Sequence, residues 1–219
     1  MLQILTTGVL VLVPLVLSVT LHETGHVLVA RLLGDDTAVA RGRWSLNPWA
    51  HLDWLGTVAV PLLAVLFNAG ALFGAAPYVG WGQPVPVNAG RFTRRVSVRA
   101  GSVAVAVAGP LANALLAAGF WVLWALGPEA GTAAGGTGTE LWRLGFRINV
   151  GLVLINVLPL YPLDGHRILA AVLPPSKALR LERFNYRYGL LVLVGVLLAG
   201  HAALGWAVAE IESFADAWG

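Results

Sequence analysis

The sequence predicts an all-α polytopic membrane protein of about five transmembrane helices, with a re-entrant or extended segment near residues 75–92. Three observations carry this. Of 219 residues, 58% are hydrophobic and only 11% charged, with a mean hydropathy of +0.76, whereas about a quarter of a soluble domain is charged. Residues 1–22, 55–90, 100–128 and 190–209 contain no Asp, Glu, Lys or Arg, and each run holds the roughly 20 residues that a helix needs to span hydrocarbon. Within the second run, residues 74–88 ("GAAPYVGWGQPVPVN") carry too many Gly and Pro for a helix.

In chain order, the first run reads as a helix of the mature protein. A secretory signal would need basic residues before it and a small-residue cleavage pattern after it, and neither is present. Residues 55–73 read as the second helix. Residues 74–88 then return through the protein as an extended chain, which is tolerated at membrane depth only inside protein or beside a wet cavity; the alternative is a surface loop with interfacial Tyr78 and Trp81. The third helix covers 100–126, and the Gly-rich stretch 127–138 reads as a flexible loop. Residues 148–163 form a shorter span, extended by the stems of Arg143 and Arg147 reaching toward the interface. The last helix covers 190–209. No internal repeat or charge block appears and nothing is left over for a soluble accessory domain, so residues 1–219 are expected to form one membrane domain.

The absence of cysteine excludes disulfides and thiolate metal sites. The net charge of +3 is modest, and arginines in a membrane protein report topology rather than nucleic-acid binding.

Chemistry is concentrated in "TLHETGHVLVA", residues 20–30, an ionisable cluster inside hydrocarbon. His22 and His26 lie four apart, one above the other on a helix, so that their imidazoles converge on one ion. Glu23 sits about 100° round the helix, which keeps it out of the ligand set but beside the ion's open position, where it can act as a general base. A carboxylate at that depth costs about 2.5–3.5 kcal/mol unless partnered, and a divalent cation partners it. Two imidazoles leave zinc short of its usual third protein ligand. Among the acids, Asp164 alone directly ends an apolar span in a rigid context, "NVLPLYPLDG" (residues 156–165), where Pro159 and Pro162 break the helix and Gly165 permits a tight turn. "LDG" is also an ordinary turn.

HETGH on the first helix, "GPLAN" (residues 109–113) on a later one and "NVLPLYPLDG" after that resemble the site-2 protease family of intramembrane zinc metalloproteases. "SLNPWAHLDWLGT" and "GWGQPVPVN" are similar to its compact bacterial members without appended domains. The resemblance covers most of residues 22–164. It implies one Zn2+ per chain held by His22, His26 and Asp164, with Glu23 as base and Asn156 holding the substrate backbone. Asn113 and His166 are candidates for support behind the ligands, Asn113 more naturally as an interhelical hydrogen-bonding group. His51 and Asp53 read as structural, and His201 as a satisfied interior group.

The three ligands must share one membrane depth, so the His helix and the Asp helix must cross in the same direction. That requires residues 74–88 to cross as well. The N-terminus is then outside, and twelve of the fourteen Lys and Arg fall on one side, in residues 31–54, 91–99 and 164–187. By the positive-inside rule that side is cytoplasmic, and the site lies toward it, in the plasma membrane of a prokaryote.

The expected activity is hydrolysis of a peptide bond in or near a transmembrane segment of another protein. The partners are that substrate and the lipid bilayer, with no nucleic acid. Along "WGQPVPVN", Pro84 and Pro86 place both missing N–H groups on one edge. The edge of Val85 and Val87 is left to pair with an unwound substrate. The rival expectation is a catalytically silent membrane module binding a partner segment, but no catalytic position is missing.

Overall fold

The computed structural model describes residues 2–59, 61–62, 80–127 and 137–217, without the side chains of residues 2–6, 137 and 201. Most of the expected second helix, residues 74–79 with Tyr78, most of the Gly-rich loop and the side chain of His201 therefore lie outside what is described.

The described residues are helical, with no strand and one isolated antiparallel bridge, Leu52 to Gly82. Helix α1 spans Leu2–Leu32, α2 Thr37–Ala40, α3 Val98–Ala125, α4 Thr137–Asn156, α5 Asp164–Val172, α6 Pro175–Phe184 and α7 Leu190–Asp216. Two of them, over Thr7–Leu32 and Val98–Ala125, are long and apolar enough to cross a membrane; the bent pair Pro175–Gly200 and Ala202–Asp216 adds a third if counted as one span. About five spans is thus more than the described helices establish.

The expected short span, 148–163, is displaced. Helix α4 begins eleven residues earlier and ends at Asn156, because Pro159 lacks an amide hydrogen and its ring obstructs a helical carbonyl four residues back. Its first half carries Glu140, Arg143 and Arg147. Both arginines meet the carboxylate of Glu212 on α7 at 2.7 Å, and Arg143 stacks over Trp124. The acidic end of α7 is thereby joined to the basic start of α4.

Four-residue spacing explains how three helices meet. On α1, Val11, Leu15 and Val19 form an apolar stripe that packs against Leu144, Ile148 and Leu152 of α4; residues four apart share a helix face. The next positions along these stripes are Glu23 and Asn156, so two apolar seams each end in a polar group. A neighbouring stripe of α1, Ser18, His22 and His26, faces Asn113, Gly109 and Val105 of α3, again four apart and in reverse order. Helices α1 and α3 are therefore antiparallel. Helix α4 runs parallel to α1, since Asn149 meets Ser18 and Asn156 lies farther along beside the cavity that Glu23 lines. This is the common direction that a shared ion requires.

Residues 80–88 are non-helical and follow α1 along its second half. Gly80 lies against Leu15, Gly82 against Val19 and Glu23, and Val85 against Val27. The Asn88 N–H donates to Asp35 at 2.6 Å. From residue 15 to its end at residue 32 the helix rises about 25 Å, and nine extended residues cover about 30 Å, enough to reach Asp35 just beyond it.

Candidate metal centre

His22 and His26 present their Nε2 atoms 3.2 Å apart, and Asp164 Oδ2 lies 3.0 Å from the first and 3.2 Å from the second. All three residues are buried, and among the described residues they are the group able to hold a metal. Gly109 of α3 makes room for them. A Cβ there would lie 2.4 Å from His26 Nε2 and 2.6 Å from His22 Nε2, and one at Gly25 would lie 2.9 Å from the Ala108 carbonyl oxygen. Glycine at both positions is what lets the two helices approach at the imidazoles.

The hydrogen bonds behind the rings fix their tautomers. Asn149 Nδ2 donates to the Gly145 carbonyl at 2.8 Å and to Ser18 Oγ at 2.8 Å, so its oxygen must accept from Asn113 Nδ2 at 2.9 Å. Asn113 Nδ2 also donates to the Ser18 carbonyl at 3.2 Å. Asn113 Oδ1 is left to accept from His22 Nδ1 at 2.6 Å, and His26 Nδ1 donates to the Val105 carbonyl at 2.6 Å. A neutral imidazole carries one N–H. With both Nδ1 atoms protonated, both Nε2 atoms hold bare lone pairs.

Two lone pairs and a carboxylate oxygen facing one another at about 3 Å repel unless a cation lies among them. Asp164 Oδ2 is accordingly a buried atom without a hydrogen-bond partner among the described residues. Two nitrogens and one oxygen with an open side suit zinc, a borderline ion that takes three protein ligands at catalytic sites, better than the all-oxygen shells of magnesium or calcium.

Asp164 owes its aim to the turn before it. Asn156 Oδ1 accepts the Asp164 N–H at 3.4 Å, and Asn185 braces the turn by accepting the Tyr161 N–H at 3.0 Å and donating to the Pro159 carbonyl at 3.3 Å. A Cβ at Gly165 would stand 2.3 Å from the Val157 and Leu158 carbonyl oxygens. The placing of Asp164 after the Pro-broken helix end is therefore enforced by sterics at Gly165 and by two asparagines.

A cavity of about 40 Å³ opens on His22, His26 and Asp164, bounded also by Glu23, Asn156, Gly80, Trp81, Gly82 and Pro84. At about 10–15 Å³ of such volume per water, it has room for an ion and one or two waters. Glu23 is buried and makes no hydrogen bond to a described residue, so its carboxylate is free to meet what enters.

The remaining candidates are placed as follows. Asn113 reaches His22 directly. The His166 ring bonds the Leu163 carbonyl and stands edge-on to Tyr161 rather than behind a ligand. The side chains of Val85 and Val87 turn inward, Val85 against Val27 and Ala38, so only their main chain is available to a substrate. On that edge the preceding amide, Gln83 N–H, is already taken by the His51 carbonyl at 2.7 Å; those of Val85 and Val87 have no partner among the described residues. His51 is buried with Nε2 on the Ser45 carbonyl, and Asp53 accepts the Gly56 N–H, both structural tasks. Ser18, Asn149 and Asp35 were not singled out from sequence. The four-residue spacing of Ser18 to His22 was the one available signal for the first.

No family model matches the chain and no solved structure matches it. Over 187 residues it is 36% identical to "Putative zinc metalloprotease YwhC" of Bacillus subtilis (strain 168), covering 83% of this chain and 77% of the relative. Over 208 residues it is 28% identical to "Putative zinc metalloprotease Rip2" of Mycolicibacterium smegmatis (strain ATCC 700084 / mc(2)155), covering 95% and 73%. With these relatives, and with two imidazoles brought to a buried aspartate, the chain belongs to the site-2 protease-like family of zinc metalloproteases.

Proposed function

We infer that the protein is an intramembrane endopeptidase, with Zn2+ on His22, His26 and Asp164, that hydrolyses a peptide bond in or beside a transmembrane segment of another membrane protein. The observation that carries this is the convergence of two bare Nε2 atoms, an unpartnered Asp164 oxygen and an uncommitted Glu23 carboxylate on one cavity within apolar helices. Zinc, when bound, supplies Lewis acidity toward a carbonyl and toward a water. Glu23 takes one proton from the attacking water and delivers it to the leaving amine nitrogen as the C–N bond breaks. Asn113, locked by Ser18 and Asn149, holds His22 in the tautomer that keeps Nε2 free.

The substrate is locally unwound, since a helical amide is shielded by its own hydrogen bonds. The amides of Val85 and Val87 offer it an edge, which begins where the His51 contact ends. The N-terminus lies outside and the Arg-rich loops inside, which puts the metal toward the cytoplasm.

The test is metal analysis beside cleavage of single-span peptides, with and without chelator. Glu23→Gln should keep near-stoichiometric zinc and lose cleavage by at least about a hundredfold, the usual scale of a general base; His22→Ala should lose both. Surviving activity in the first variant, or loss of its metal, would overturn the assigned roles.

A further inference from the structure

Arg167 borders two cavities at once. It stands three residues after Asp164 in the first turn of α5, which puts both side chains on one helix face. On one side it lines the cavity of the metal ligands and Glu23. On the other it lines a second cavity of about 340 Å³ with Ser102, His166 and Glu182. It is the residue that the two have in common, so they adjoin at its side chain.

Half-buried, this guanidinium makes no ion pair and no hydrogen bond among the described residues. Of the residues that are not described, 60 and 63–79 contain no acid, and the one acidic side chain, Glu129, lies in the 127–138 loop, which the proposed orientation puts on the opposite side of the membrane from Arg167. Arginine presents a planar fork of N–H donors matched to two carboxylate oxygens, and a partly desolvated cation without an anion is incomplete. Its position adds the ligand's chemistry. Peptide hydrolysis turns a neutral amide into an amine and a carboxylate, so a negative charge appears beside Arg167 that the substrate's scissile bond did not carry.

We propose that Arg167 is a carboxylate-binding residue, taking the carboxylate of a peptide that lies across both cavities. This rests on the hydrolytic activity inferred above. The carboxylate is either the new C-terminus released by cleavage, which Arg167 draws away from the metal ligands into the second cavity, or an acidic side chain next to the scissile bond. In the first case the residue governs product departure; in the second it governs sequence preference.

Binding separates the two sources without turnover. The probes are a dansyl-labelled apolar octapeptide with a free C-terminal carboxylate, the same peptide as its amide, and the amide with one Glu. Energy transfer from tryptophan reports their binding to the metal-free, detergent-solubilised full chain. One charge-assisted hydrogen-bonded contact predicts about tenfold tighter binding of a carboxylate form over the plain amide. That preference should fall below about twofold in Arg167→Gln and recover in part in Arg167→Lys, while both variants reload zinc to the wild-type level; Arg167→Met replaces Gln if that variant fails to load. Preference for the free C-terminus assigns product handling, and preference for the Glu peptide assigns substrate selection. Equal binding of all three probes by the wild type, or a preference that survives in Arg167→Gln, overturns the proposal. A protein with the preference but no proteolysis would refute the hydrolytic function and leave the carboxylate site standing; proteolysis without the preference would refute the site alone.

Discussion

Asn113 carries no charge and touches no ion, yet the His22 tautomer depends on it. Its orientation is fixed by the Ser18 carbonyl and by Asn149, itself fixed by the Gly145 carbonyl. Substitution of such supporting groups usually costs about 10–100-fold in metal affinity. Asn113→Leu, similar in volume, should therefore weaken zinc binding by that factor in a competition titration with a chelator of known affinity. Gly109→Ala should do worse for a steric reason, because the added Cβ would stand 2.4 Å from His26 Nε2. Wild-type zinc affinity in both variants would show that neither the hydrogen-bond chain nor the close helix approach prepares the ligands.

At the scale of elements, the segment of residues 80–88 is held at its end by Asp35. Burial pushes the Asp35 pKa up, but hydrogen bonds from the Thr37 hydroxyl and from the Asn88 and Thr37 N–H groups, with the Arg91 charge nearby, outweigh it and hold the carboxyl below the usual carboxylate range. A group depressed in the folded state contributes stability above its unfolded pKa and loses it as pH falls through the folded value. Asp35→Asn should thus cost about 1–2 kcal/mol between pH 5 and 8, with the gap to wild type closing below about pH 4, the unfolded carboxyl's range. Thermal unfolding in detergent across pH reads the gap, and hydrogen exchange at the Asn88 amide should quicken. A gap that stays constant to pH 3 would mean that the charge of Asp35 is not what anchors the segment. The Gly-Pro composition announced that these residues are not helical; that they lie along α1 could not be read, because Val85 meets Val27 across more than fifty residues of chain.

For the whole molecule, charge and helix direction point the same way. The loops after α1 and before α3 are stitched together by the Thr93 N–H on the Leu33 carbonyl and by Asn88 on Asp35. At the other end, Arg143 and Arg147 meet Glu212. The native chain has no cysteine, so single cysteines report cleanly. In sealed, oriented vesicles, Cys at Ser97 and Ser176 should react with an impermeant maleimide only from the cytoplasmic side, and Cys at Thr137 only from outside. Reversal at all three positions would invert the proposed orientation. Labelling of all three from one side would refute the single crossings by α3 and α4, and a Cys at Arg41 that reacts from the side opposite to Ser97 would refute the crossing by residues 74–88.

By itself the sequence determined the membrane class, through uncharged runs long enough to span hydrocarbon. It also put His22 and His26 on one helix face, one turn apart, and set Asp164 just after a Pro-broken helix end. Those are local consequences of helix geometry and backbone sterics. Where α4 begins was not legible, because the arginines before residue 148 find their partner, Glu212, on a helix that follows much later. Tertiary structure alone decided which nitrogens are bare, because the answer lies in a chain of hydrogen bonds through Ser18, Asn113 and Asn149 on three helices. The same holds for Gly109 and Asp35: each acts through a neighbour distant in sequence, and no pattern within one segment records which segments will touch.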